Sequence, residues 1–130
     1  MERTGIPASI KMAQALLESQ SGKSELALNA NNHFGIKCKN DWTGEIYYYH
    51  DDDRNTDGEI IPSCFRSYTS PLDSYKDHSD FLVNRPRYKE LFNLPKTDYA
   101  GWAYGLKKCG YATDPNYADR IIKMILKYNL

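Results

Sequence analysis

Hydrophobic periodicity changes twice along the chain, and this limits the possible folds more than any other feature. Between Ile6 and Ser24, behind Pro7, the apolar or small residues Ile10, Ala13, Leu16 and Leu17 recur at spacings of three and four. Such spacing places them on one helical face. Ser24 then caps a short second helix that runs to about Ala30. From Asp41 to Tyr68 the pattern becomes extended. Ile46 to Tyr49 favour one strand, and Ile60, Ile61 and then Cys64 to Tyr68 return as a second, with Pro62 pointing to an edge. The intervening run Asp51 to Gly58 reads as an acidic turn or loop.

Helical spacing resumes after Ser70, where Pro71 and Asp73 mark a capped start. Leu72, Tyr75, Ser79 and Leu82 form the expected inner face, and Arg85-Pro86 ends the helix. Tyr88 to Phe92 adds a short turn. Thr97 is the expected cap of the next helix, with Trp102, Leu106 and Cys109 inward and Gly110 as its stop. Asp114-Pro115 is expected to open the last helix, packed through Ile121, Ile122, Ile125 and Tyr128. With neither repeat nor linker, residues 1–130 read as a single domain of α+β class, mainly α, with a small β-hairpin lobe.

Composition removes several function classes. Seventeen basic and 17 acidic residues give zero net charge, which argues against nucleic acid as a partner. No apolar run approaches the roughly 20 residues of a membrane span. Met1 to Gly5 shows no apolar signal segment, so either the protein is cytoplasmic or the chain starts after a removed leader. Cys38, Cys64 and Cys109 lack CxxC spacing, and His33 has no second ligand nearby, so no metal or other cofactor is expected. Cys38 and Cys64 flank the irregular region and can pair there in an oxidising compartment. Eleven tyrosines supply flat rings with hydroxyl rims, a surface that suits sugars as well as cores.

Glu18 stands at the end of the first apolar face, just before Ser19, Gln20, Ser21 and Gly22 break the pattern. Desolvation and the negative end of a helix dipole both disfavour a charged carboxylate. Both are expected to raise the pKa of Glu18, as a general acid near neutral pH requires. The competing reading is a surface glutamate in a last helical turn.

Seven blocks together carry a family resemblance. They are Gly5 to Ile10 with Ala13 to Ser19, Asn32 to Lys37, Trp42-Thr43-Gly44, Phe65 to Tyr68, Ser74 to His78, Asn84 to Tyr88, and Gly110 to Ala118. In this order they resemble the glucosaminidase domains of glycoside hydrolase family 73, over nearly the whole chain. The resemblance implies a lysozyme-like helical domain that cleaves the β-1,4 bond after N-acetylglucosamine in peptidoglycan glycan strands. It implies Glu18 as general acid and a lobe carboxylate, Asp52 or Asp51, as its partner, where many members carry a glutamate. Otherwise the substrate's own acetamido group assists. It also implies Tyr111 and Tyr117 in the cleft, with core packing the competing reading, and Asp77 in a direct or structural role; Phe34, Trp42 and Tyr47 are candidate sugar platforms, or else core residues. Such a protein is expected to be exported and monomeric. A muramidase or lytic transglycosylase on the same scaffold, or a non-catalytic glycan-binding module, are the alternatives.

Overall fold

The computed structural model describes residues 5–54 and 56–130, with the side chains of residues 50–54 outside the description. Helices α1 (Ala8–Glu18) and α2 (Glu25–Ala30) come first, followed by strands β1 (Ile46–Arg54) and β2 (Ile60–Arg66). Helix α3 (Pro71–Asn84), a 3-10 helix (Pro86–Asn93), α4 (Tyr99–Lys108) and α5 (Tyr117–Tyr128) complete the chain. The mainly helical α+β fold with one two-stranded lobe is therefore as expected from the periodicity.

The main core forms where α1, α4 and α5 meet. Ile6, Ile10 and Ala13 pack there with Trp102, Leu106, Ile121 and Ile125. Each fully buried isoleucine or leucine contributes about 1.5–3 kcal/mol by leaving water. No helix among the described residues is long and apolar enough to cross a membrane.

Several boundaries differ from expectation for local reasons. The cap of α4 is Asp98, not Thr97, because the Asp98 carboxylate accepts a hydrogen bond from the Gly101 amide at 2.9 Å. Helix α5 begins at Tyr117 rather than at Asp114-Pro115, since Asp114 instead accepts from the Asn116 amide and closes a turn. Leu72 is exposed, and the buried face of α3 is Ser74, His78, Ser79 and Leu82. Tyr128 is also exposed, beyond the last turn that reaches the core. Asp51 to Asp53, expected in a loop, belong to β1, whose pairing with β2 outweighs the weak strand preference of aspartate.

The lobe is an antiparallel hairpin, paired from Ile46 opposite Arg66 to His50 opposite Pro62, then irregular until Arg54 meets Ile60. The preceding segment joins this hairpin through a bridge between Lys37 and Phe65 and a bond from the Cys38 amide to the Cys64 carbonyl at 2.9 Å. Cys38 and Cys64 form a disulfide across the same junction, with Cα atoms 5.5 Å apart. Cys109 is free.

A polar cluster lies where α1 crosses α3. The buried Lys11 ammonium donates to the Tyr75 carbonyl at 2.9 Å and the Ser79 hydroxyl at 2.7 Å, and lies 3.1 Å from His78 Nδ1. An ammonium can only donate, so Nδ1 accepts and the His78 proton is assigned to Nε2. Burial, and then the Lys11 charge, holds this imidazole well below its ordinary value of 6.5. His33 is lowered too, by burial.

Below about pH 6.5 the unfolded chain takes up histidine protons that the folded chain resists, so stability is full above that pH and drains as pH falls. Urea titrations between about pH 6.5 and 5 should show this slope, and His78→Gln should flatten it whatever its stability at neutral pH. Replacing both Cys38 and Cys64 by serine should lower unfolding free energy by about 2–4 kcal/mol. Denaturation of the oxidised wild type beside that variant checks it.

Candidate active site

The C-terminus of α1 is turned sharply. Gln20, Ser21 and Gly22 all have positive φ (52°, 60° and 83°), and a left-handed run of this kind cannot continue a right-handed helix. The buried Ser19 hydroxyl donates to the Ala15 carbonyl and accepts from the Gly22 amide at 2.8 Å, and the Ser24 amide returns to the Ser19 carbonyl at 2.9 Å. These bonds fix where the last helical residue, Glu18, leaves the helix.

Opposite Glu18 stands the segment Asn32 to Lys37. The buried Asn32 amide donates to the carbonyls of Ile36 at 3.0 Å and Arg66 at 2.9 Å, and its oxygen accepts from the Ile36 amide at 3.2 Å. The loop is thereby tied to β2. Its tip is Gly35, with φ of 67°, a conformation that glycine adopts without the steric penalty of a side chain. A Cβ at Gly35 would lie 3.8 Å from Glu18 Oε1. The backbone of one wall thus closely approaches the carboxylate of the other.

Glu18 lines two adjoining clefts. The first, about 380 Å³, also includes Phe34, Phe81, Tyr111 and Thr113. The second, about 240 Å³, includes Gln20, Glu25, Tyr49 and Phe65. Gly35 and Lys37 belong to both, so the clefts form one groove crossed by Glu18. Among the described residues Glu18 is the only acidic side chain lining both halves. Contrary to the expected desolvation, its side chain is exposed. The helix carries it past the core into the groove, where the carbonyl end of α1 and the surrounding phenols form its environment.

Tyr111 lines the groove, half-buried, against the rings of Tyr88, His78 and Tyr117. Burial, then Tyr117, then the Glu18 charge push its phenol well above the usual value. Tyr111 therefore stays protonated at any physiological pH and remains a hydrogen-bond donor. Tyr117 lies behind it, 2% exposed, accepting from Gln14 Nε2 at 3.0 Å. Burial, followed by the Glu18 charge, raises its phenol as well. Tyr117 lines neither half of the groove, so its position is a backing one.

Phe34, Trp42, Tyr47 and Asp77 each have partners within the protein. Phe34 is buried with one ring face stacked on His78 at 3.8 Å, although it reaches the groove wall. Trp42 lies under the Arg66 guanidinium, 4.8 Å from its ring centre, with its indole N–H donating to the Glu45 carbonyl. The Tyr47 hydroxyl donates to Glu25 and accepts from Asn29, joining β1 to α2. Asp77 pairs with Arg66 at 2.9 Å and accepts from the Tyr68 hydroxyl. Asp51 and Asp52 have side chains outside the described residues. Tyr49 was not anticipated. Strand alternation from Tyr47 could have found it, because the two share a face while Tyr48 between them is exposed.

The glucosaminidase family model, described as mannosyl-glycoprotein endo-beta-N-acetylglucosaminidase, matches residues 1–130. The chain belongs to the glucosaminidase family. The exo-glucosaminidase LytG of Bacillus subtilis is 37% identical over 139 residues, covering 99% of this chain and 46% of LytG. The peptidoglycan hydrolase FlgJ of Vibrio cholerae is 33% identical, covering 92% of this chain and 37% of FlgJ. The chain therefore spans less than half the length of these relatives. The catalytic domain of the autolysin Auto from Listeria monocytogenes superposes with a TM-score of 0.83 at 29% identity, covering 98% of this chain and 75% of that one. The family 73 resemblance and its lysozyme-like architecture are thus borne out.

The placement of Tyr117 makes a measurable difference. Tyr117→Phe leaves the buried Gln14 amide without its acceptor and should cost about 1–3 kcal/mol of unfolding free energy. Chemical denaturation checks this. A change confined to turnover, with stability intact, would count against the backing position.

Proposed function

We propose that this glucosaminidase domain hydrolyses the β-1,4 bond after N-acetylglucosamine in peptidoglycan, with Glu18 as general acid. The observation that carries this is the position of Glu18, the acidic residue common to both halves of a groove. A glycan laid along that groove presents a bridging oxygen to the carboxyl at its middle. Glu18 would protonate this oxygen as the bond breaks and the anomeric carbon gains oxocarbenium character. Because the groove continues on both sides, it suits an internal bond rather than only a chain end. The substrate class is supported by its relatives, since LytG is an exo-glucosaminidase, FlgJ a peptidoglycan hydrolase and Auto an autolysin.

The second step has two routes. Asp52 or Asp51 of β1 would activate water across a gap of roughly 6.5–9.5 Å and invert the centre. Alternatively the substrate acetamido group would attack first. On either route the protonated Tyr111 is suited to hold the acetamido group. Tyr49 and Tyr111 stand on opposite sides of Glu18 and would serve as sugar contacts. Trp42 and Tyr47 are engaged by Arg66 and Glu25, so we assign them to shaping the lobe. Asp77 likewise supports the site through Arg66. We further propose that the domain works without cofactor, as a monomer, outside the cytoplasm, where its substrate is found.

Glu18→Gln should lower hydrolysis of purified sacculi by about a hundred- to ten-thousand-fold while thermal unfolding is preserved. Mass spectrometry of wild-type digests should show reducing N-acetylglucosamine ends. Reducing muramic ends would instead indicate a muramidase, and anhydro-muramic ends a lytic transglycosylase. Near-normal hydrolysis by Glu18→Gln would overturn the assignment of the acid.

A further inference from the structure

The groove does not stop at Tyr111. It continues into a cavity of about 460 Å³ that shares Lys39, Phe81, Gly110 and Tyr111 with the cleft beside Glu18. The charged side chains of this cavity are Lys39, Arg85, Arg87 and Asp41. Three cations against one carboxylate leave an excess of two positive charges, in a chain whose net charge is zero.

Asp41 is already counted in this excess and is shared with a further cation, Arg66, outside the cavity lining. Its Oδ1 accepts from the buried Arg66 at 2.9 Å, and its two oxygens meet Arg85 at 3.4 and 3.3 Å, so one carboxylate is divided between two guanidinium groups. Arg85 also lies over the Phe81 ring, 4.0 Å from its centre, and Arg87 lies 6.0 Å from the centre of Tyr88. Rings hold both guanidinium groups at the cavity. Among the described residues, no acidic side chain forms an ion pair with Lys39 or Arg87. A neutral sugar ring gives no reason to gather cations here. A planar anion does, because a guanidinium fork matches a carboxylate with paired hydrogen bonds.

The glycan of the proposed reaction carries such anions, since its muramic residues bear short peptides with free carboxylates. We propose that this basic end of the groove binds a carboxylate of the peptide stem, so that the domain favours stem-bearing strands over bare ones. This rests on the peptidoglycan reading above and adds a determinant of specificity to it. Arg87 supplies the fork, Lys39 adds charge where the two cavities join, and Arg85 is held in place by Asp41 and Phe81.

The test compares kcat/KM on glycan strands of matched length, with peptide stems intact or removed by an amidase. Both are first stripped of phosphodiester-linked polymers with hydrofluoric acid, and a third sample keeps those polymers. Wild type should prefer stem-bearing strands by at least about fivefold, chiefly through KM. Arg87→Gln should bring the ratio close to one, and Arg87→Lys should restore part of it. Lys123→Gln, on α5 outside the groove, should keep the wild-type ratio. Equal wild-type rates on both strands, an unchanged ratio in Arg87→Gln, or a preference that follows the phosphodiester polymer would each overturn the proposal. Binding of the same strands to Glu18→Gln reads this subsite without cleavage. If wild type cleaved neither strand, the hydrolase reading would fail, while the binding ratio would still decide this one.

Discussion

The buried guanidinium of Arg66 joins the parts that make the groove. It donates to the Lys37 carbonyl at 3.0 Å, pairs with Asp41 and Asp77, and covers the Trp42 ring. Those partners belong to the irregular segment after Phe34, to the turn before β1 and to α3. Burying a guanidinium is costly, and the cost is offset only when its donors and charge are met. Here they are met by parts of the chain distant in sequence, so the side chain enforces one arrangement of lobe against helices. Removing one partner would leave a charge buried without compensation, which is far more damaging than the pair is stabilising.

Around that junction the functional parts sort by how rigidly they are held. Glu18 is fixed by the left-handed turn after α1, and Gly35 by the Asn32 bonds to Ile36 and Arg66. The Cys38–Cys64 disulfide closes the same wall. The Tyr111 amide donates to the Leu106 carbonyl at 3.0 Å, its ring is placed by a cluster of neighbouring rings, and Tyr117 behind it is fastened to Gln14. The acid and the opposing wall thus rest on backbone constraints, and the aromatic floor rests on packing.

How much of this was legible in the sequence depended on the range of the interaction. Helices and the hairpin were readable because their periodicity is local. Thr97 and Asp98 are both good caps by residue type, and only the Gly101 amide distinguishes them. The end of α1 is a local signal, whereas the exposure of Glu18, and the choice between cleft and core for Tyr117, depend on packing between helices distant in sequence. Trp42 and Tyr47 are platform candidates by residue type, and only the fold reveals that Arg66 and Glu25 engage them. The Lys11–His78 contact, with its partners 67 residues apart, carried no local signal at all. The basic cavity was hidden for the same reason, since Lys39 is brought beside Arg85 and Arg87 only by the fold.

The turn that ends α1 also sets how this chain can tolerate length changes. A helix advances about 1.5 Å and rotates about 100° with each residue. Deleting one residue within α1 would swing Glu18 about a quarter of a turn around the helix, out of the groove, while the apolar stripe could still find partners. At Gly58 in the hairpin tip, by contrast, a Cβ would meet nothing within 4 Å, so added bulk there has room away from the groove. Insertions and deletions should therefore accumulate at the tip of the lobe and be excluded from the first helix. The acid is held in register like a tooth on a gear, and its surroundings are free to vary only where they do not turn that gear.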